Sequence, residues 1–179
     1  MTVAAPVLPD SYRPAFAEFT TDRREPDAIA RSRREAFSRF ETLGLPTRQQ
    51  EAWRLTDLSG LRQWNLQRPA LVPVDAGAPP TLDQPAHRLI FINGCYAPGL
   101  SQLREMPDQA LIASLAQALL THPELIEPHL DRLPGLEQHP FAALNTAFWE
   151  DGAFINLPPG TVVETPIHLI FHTTGSDIA

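Results

Sequence analysis

Over the first forty or so residues, apolar positions recur at helical spacing; after residue 86 they gather into short runs and strict alternation. The spacing predicts a short helix around Tyr12–Phe19. A longer helix is opened by Glu25, Pro26 and Asp27, with Pro26 near the first helical position, where its missing N–H costs nothing, and is closed by Gly44. Projected at ~100° per residue, Ile29, Ala36, Phe37, Phe40 and Leu43 fall on one side, while Asp27, Arg31, Glu35 and Arg39 make an opposite i,i+4 ladder of alternating sign. The arginines of this helix, Arg31, Arg33, Arg34 and Arg39, are read as a solvated face, because the interleaved acids cancel a nucleic-acid or membrane patch.

The stretch GLPTRQQEAWRLTDL, residues 44–58, has no clean period. Gly44 and Pro46 force a corner, and Thr47 with Gln50 has the spacing of a capping box, which predicts a short helix carrying Glu51 and Trp53 into a turn at Thr56 and Asp57. Leu45, Trp53, Leu55, Leu58, Leu61 and Trp64 are the apolar residues expected to pin the corner to a body. Glu51 and Trp53 are therefore expected to act structurally.

Residues 69–85 hold five prolines in seventeen positions and read as an extended linker between a helical region, 1–68, and a region of hairpin and short helices, 86–150. RLIFINGCYAP predicts the hairpin, with Asn93-Gly94 as a type I′ turn. ALIAS predicts a further strand, Ser114 and Gln117 a second capping box for the helix LAQALLT, and Phe141–Glu150 another helix. From Ala153 the pattern is of strands: AFINL, a turn at Pro158-Pro159-Gly160, TVVE, and PIHLIFHTT with Ile167, Leu169 and Phe171 alternating inward.

Composition fits a globular chain, at 43% hydrophobic and 20% charged residues, with 19 prolines favouring short elements. Residues 1–68 hold 11 Arg against 9 acidic residues, and residues 69–179 hold 3 Arg against 12, so the second part is strongly acidic and argues against nonspecific nucleic-acid binding. The absence of Lys carries no function. The start MTVAAPVLPD lacks the basic and apolar regions of a signal peptide, and no run approaches a membrane span, so a cytoplasmic protein is expected.

Candidate chemistry is sparse. His168 and His172 would share a face on a helix, but Pro166 and the β-branched and aromatic neighbours argue for a strand, where four residues span ~13 Å. His122, Glu124, Glu127 and His129 have ligand chemistry yet are interrupted by prolines and read as an acidic surface. Cys95 has no partner pattern and reads as an inert thiol. There is no G-x-S-x-G, P-loop, G-x-G-x-x-G or C-x-x-C sequence. The expectation is of no enzyme activity, no catalytic residue and no bound metal.

Three segments carry a resemblance. In residues 44–58 the order Pro46, Thr47, Arg48, Glu51, Trp53, Thr56, Leu58 resembles the N-terminal signature of the SufD branch of the SufB/SufD family. FINGCYAPGLSQL, with Asn93 and Gly94, is similar to the family's hairpin, and residues 141–174 are similar to its passage into a β-helix. Arg54 and Leu55 stand where relatives often have Lys and Tyr.

The resemblance implies an α+β chain: an N-terminal helical region, a hairpin and short helices, then the first strands of a right-handed parallel β-helix over 151–179, truncated. It implies a non-catalytic subunit, or N-terminal fragment, of a SufB-SufC-SufD type scaffold for iron-sulfur cluster assembly, with SufB-like and SufC-like partners. It places no cofactor in this chain, the assembly handling iron-sulfur clusters and leaving a flavin open. A free-standing protein-interaction module with the same architecture is the alternative. Because PIHLIFHTT ends on an apolar strand, self-association through that C-terminal edge is also expected.

Overall fold

The computed structural model describes residues 8, 10–21, 23–62, 79, 83–130, 132, 135 and 138–174. They divide into two compact units, one of residues up to 62 with 129–149, the other of 79–128 with 150–174. Among the described residues, helices and two small sheets make an α+β arrangement. The linker predicted over 69–85 and Trp64 lie largely or wholly outside the described residues.

The first unit contains α1 (Tyr12–Thr20) and α2 (Asp27–Leu43), as the periodicity predicts. Pro26 is the cap rather than the first helical residue, and α2 stops at Gly44, whose φ of 63° suits a residue with no Cβ. Ala36, Phe37 and Phe40 of α2 meet Tyr12, Leu45, Ala143 and Ala147 in one apolar cluster. Phe16 stacks on Phe37 with centroids 4.1 Å apart. Two expectations are corrected. Arg33 does not belong to the solvated face: it is 1% exposed, because acceptors from elsewhere in the unit meet its guanidinium. The capped helix expected after Thr47 is a single 3-10 turn, Glu51–Trp53. Gln50 N–H bonds the Thr47 carbonyl, and no side-chain cap forms. A second such turn is Ser59–Arg62.

In the second unit β1 (His87–Ile92) pairs antiparallel with β2 (Cys95–Tyr96) across Asn93-Gly94, whose φ values of 49° and 83° fit the predicted turn. Next come β3 (Leu111–Ser114), α3 (Leu115–Thr121) and α4 (Pro123–Ile126). In the first unit α5 (Pro140–Phe148) follows, beginning one residue before the predicted helix. Back in the second unit, β4 (Ala153–Asn156) pairs antiparallel with β3, and β5 (Ile167–His172) pairs parallel with β1, giving the order β2-β1-β5. Leu89, Phe91 and Ile112 form the core, joined by Tyr96, Met106, Ala153 and Ile167.

Two strand readings are corrected as well. TVVE forms no strand, and its Val162 is exposed. The alternation in β5 does not bury Leu169 and Phe171. They continue the face of Leu89 and Phe91, but among the described strands β5 is the outer one, and they are exposed where those two are buried. Among the described residues, no helix is long and apolar enough to cross a membrane.

Candidate functional site

The signature residues of the corner divide into an anchor and a projecting loop. Leu45 and Pro46 are buried, and Trp53 is half-buried with its ring 5.4 Å from that of Phe141 in α5. Thr47 and Leu58 are half-buried, whereas Arg48, Glu51 and Thr56 are exposed. The loop orders itself. Arg48 Nε donates to the Arg54 carbonyl at 3.2 Å, Arg54 lies 3.2 Å from Glu51, and Asp57 accepts the Ser59 N–H at 2.9 Å. Leu55, predicted to help pin the corner, instead stands 87% exposed.

Asn93 and Gly94 lie in the other unit and do more than turn the chain. Asn93 N–H donates to the His172 carbonyl at 2.9 Å, and its Oδ1 accepts the Thr174 N–H at 2.9 Å. The hairpin tip is thus tied to the far end of β5. Asp151, which the sequence marked only as the boundary between a helix and a strand, is the central acceptor of this unit. Its carboxylate takes the N–H groups of Tyr96, Ala116 and Gly152 and the Ser114 hydroxyl. Ser114 in turn caps α3 by accepting the Gln117 N–H, as the capping box predicts. The Asp-Gly pair at 151–152 was the one local signal for it.

The histidines remain apart. His168 and His172 sit on β5, with Gln84 Nε2 donating to His168 Nε2 at 3.2 Å, and His122 bonds Thr121. Among the described residues, no three His, Cys, Asp or Glu side chains gather where they could hold a metal ion. His87, which the sequence reading did not single out, is 1% exposed, and its Nδ1 accepts the Arg104 N–H at 3.2 Å. Burial, and then the charge of Arg104, lowers its pKa from the ordinary imidazole value.

Among the described strands, β5 lies at one edge of its sheet. His87 N–H bonds the Pro166 carbonyl and Asn93 N–H the His172 carbonyl, so the even-numbered residues of β5 direct their backbone groups at β1. Those of Ile167, Leu169 and Phe171 therefore point away from the sheet. Leu169 is 42% and Phe171 65% exposed, whereas Leu89 and Phe91, their register partners, are both 0%. Outward backbone groups beside apolar side chains are an arrangement that suits addition of a strand.

Residues 78–169 match the family described as SufBD protein N-terminal region. The chain is 32% identical over 153 residues to an iron-sulfur cluster assembly SufBD family protein of Synechocystis sp., covering 83% of this chain and 33% of that protein. A second Synechocystis protein so named is 30% identical over 70 residues, covering 39% of this chain and 15% of its own length. One from Arabidopsis thaliana is 33% identical over 61 residues, covering 34% and 13%. The chain thus spans a third or less of these curated relatives.

Proposed function

Because the chain belongs to the SufBD family, we propose that it serves as a subunit, or the N-terminal portion of a subunit, of a SufB-SufC-SufD type scaffold for iron-sulfur cluster assembly. The observation that carries this reading is the similarity to a protein named for iron-sulfur cluster assembly, which extends over 83% of the chain. Within the family the signature at 44–58 favours the SufD branch. The part assigned to this chain is architectural: it binds SufB-like and SufC-like subunits in the cytoplasm, with no catalytic step and no cofactor of its own, and the cluster is the assembly's cargo.

The six-residue parallel pairing of β1 with β5 supports reading these strands as the beginning of a right-handed parallel β-helix, since parallel strands with outward apolar edges are what stacked coils require. Co-expression of the tagged chain with SufB-like and SufC-like proteins of the same genome tests the proposal. Recovery of a stoichiometric complex is the expected result. A chain that binds neither subunit would overturn it in favour of a free-standing interaction module.

A further inference from the structure

We propose that residues 103–110 form a strap that opens in mildly acidic solution, with the buried imidazole of His87 as its latch. The inference stands on β1 and the segment beside it and does not depend on the family reading. The segment leaves β1 where Arg88 and Gln102 exchange backbone hydrogen bonds of 2.7 and 2.9 Å, and it rejoins the fold at Leu111, the first residue of β3. Between those ends every residue except Met106 and Ala110 is exposed. Two contacts hold the strap down. Met106 packs against the cluster of Leu89, Phe91 and Ile112, and Arg104 N–H donates to His87 Nδ1 at 3.2 Å, the hydrogen bond that, among the described residues, joins the strap to the sheet between its ends. Its turn, closed by Ala110 N–H on the Pro107 carbonyl at 3.1 Å, holds Gln109 at a φ of 64°, a left-handed conformation that costs a residue with a Cβ. A segment with so few buried contacts opens by itself, ahead of the sheet it lies on.

The latch works in one protonation state only. A backbone N–H can only donate, so Nδ1 is the ring nitrogen without a proton, and a further proton must go there, turning the acceptor into a donor that faces a donor. The imidazolium would also be buried, at 1% exposure, beside a cation. Arg104 is the charged group whose field acts on His87, and it opposes protonation. The neighbours of His87 on its own face of the sheet, Leu89 and the register partner Ile167, are apolar, while His168 and His172 of β5 lie with Arg88 on the opposite face. The carboxylates of the segments around it, Asp83, Glu105, Asp108 and Glu164, are exposed. With the strap lifted, the imidazole reaches water and takes its proton at the ordinary value of about 6.5. The strap is therefore latched above that value, and below it each unit of pH favours opening by up to about tenfold until the closed form is itself protonated. Opening uncovers the apolar cluster of Leu89, Phe91 and Ile112.

The test is the rate at which hydrogen peroxide oxidises Met106 in the 179-residue chain. It is followed by peptide mapping from about pH 7.5 to about pH 5.5, relative to a free methionine derivative in the same solutions, with amide hydrogen exchange read at Arg104 and at Leu89. The expected result in the wild type is a rise of several-fold at Met106, at most about tenfold, as the pH falls. Protection is lost at Arg104 while Leu89, in the paired length of β1, keeps it. In His87→Gln the rise is absent, because the side-chain carbonyl of Gln accepts the Arg104 N–H without titrating. A Met106 rate that does not change with pH, an equal rise in His87→Gln, or loss of protection at Arg104 and Leu89 together would overturn the proposal. Should the variant not fold, the two amides of the wild type decide it.

Discussion

Arg33, on the buried side of α2, donates through Nη1 to the carbonyl oxygen of Trp149 at 2.8 Å and to that of Ala147 at 3.2 Å, where α5 runs out of its own donors. The same guanidinium lies 4.2 Å from the Trp149 ring centroid and holds Glu25 at 2.9 Å through Nε. A cation at the end of a helix also suits the helix dipole. Carboxylate and carbonyls are reached by different nitrogens of one planar group.

Replacing Arg33 by Ala leaves two carbonyls without their donor and Glu25 with Arg23 alone, 3.5 Å away, and is expected to cost about 3 kcal/mol. Lys keeps the charge but not the fork, so Arg33→Lys is expected to recover less than half of that loss. Urea denaturation of both variants, with m-values compared, measures it.

Asp151 makes the corresponding prediction for the other unit. Asp151→Ala removes the acceptor of three backbone N–H groups and the Ser114 hydroxyl, at an expected cost of about 2 to 4 kcal/mol. Hydrogen exchange should quicken at Tyr96 and Ala116 before the rest of the unit. Equal quickening across the unit would show that the carboxylate acts on global stability alone.

Trp53 and Leu55 should differ sharply although both are large and apolar. Trp53 rests on Phe141, so Trp53→Ala is expected to cost about 2 kcal/mol, below the value for a fully buried tryptophan. Leu55→Ala is expected to move stability by less than ~0.5 kcal/mol, since the side chain is in water. Thermal melts of the two variants check the contrast.

His87 gives a pH dependence of definite sign. Its pKa is lowered in the folded protein by burial and by Arg104, so on acidification the unfolded chain takes up the proton first. The contribution of His87 is therefore fully present above the ordinary imidazole value of about 6.5 and is lost as pH falls through its lowered folded value. Protonation also removes Nδ1 as acceptor of the Arg104 N–H. Melts from neutral to mildly acidic pH should fall more steeply for the wild type than for His87→Gln, and parallel curves would show that other groups carry the dependence.

Much of this molecule is legible from local pattern. The 3.6-residue recurrence of Ile29, Ala36, Phe37 and Phe40 specifies α2, and Gly44 ends it because its backbone needs a positive φ. Asn93-Gly94 specifies the hairpin, and Ser114 specifies the start of α3. The residues of the corner at 44–58 and of the hairpin were sufficient to point to the family. These features depend on neighbours within a few positions, so sequence alone determines them.

Tertiary structure decided what depends on distant partners. Arg33 lies on the same arginine-rich helix as the exposed Arg31 and Arg34, and its burial is made tolerable by Glu25 together with carbonyls more than a hundred positions away. Asp151 became a central acceptor because β2, β3 and α3 bring their donors to it. Alternation places Ile167, Leu169 and Phe171 on one face of β5, but it does not bury that face: Leu169 and Phe171 are exposed where Leu89 and Phe91 of β1 are not. Periodicity records which residues share a face; whether that face is covered is set by chain eighty positions distant, as in the pairing of His87 with Ile167, which leaves Leu169 and Phe171 at the open edge.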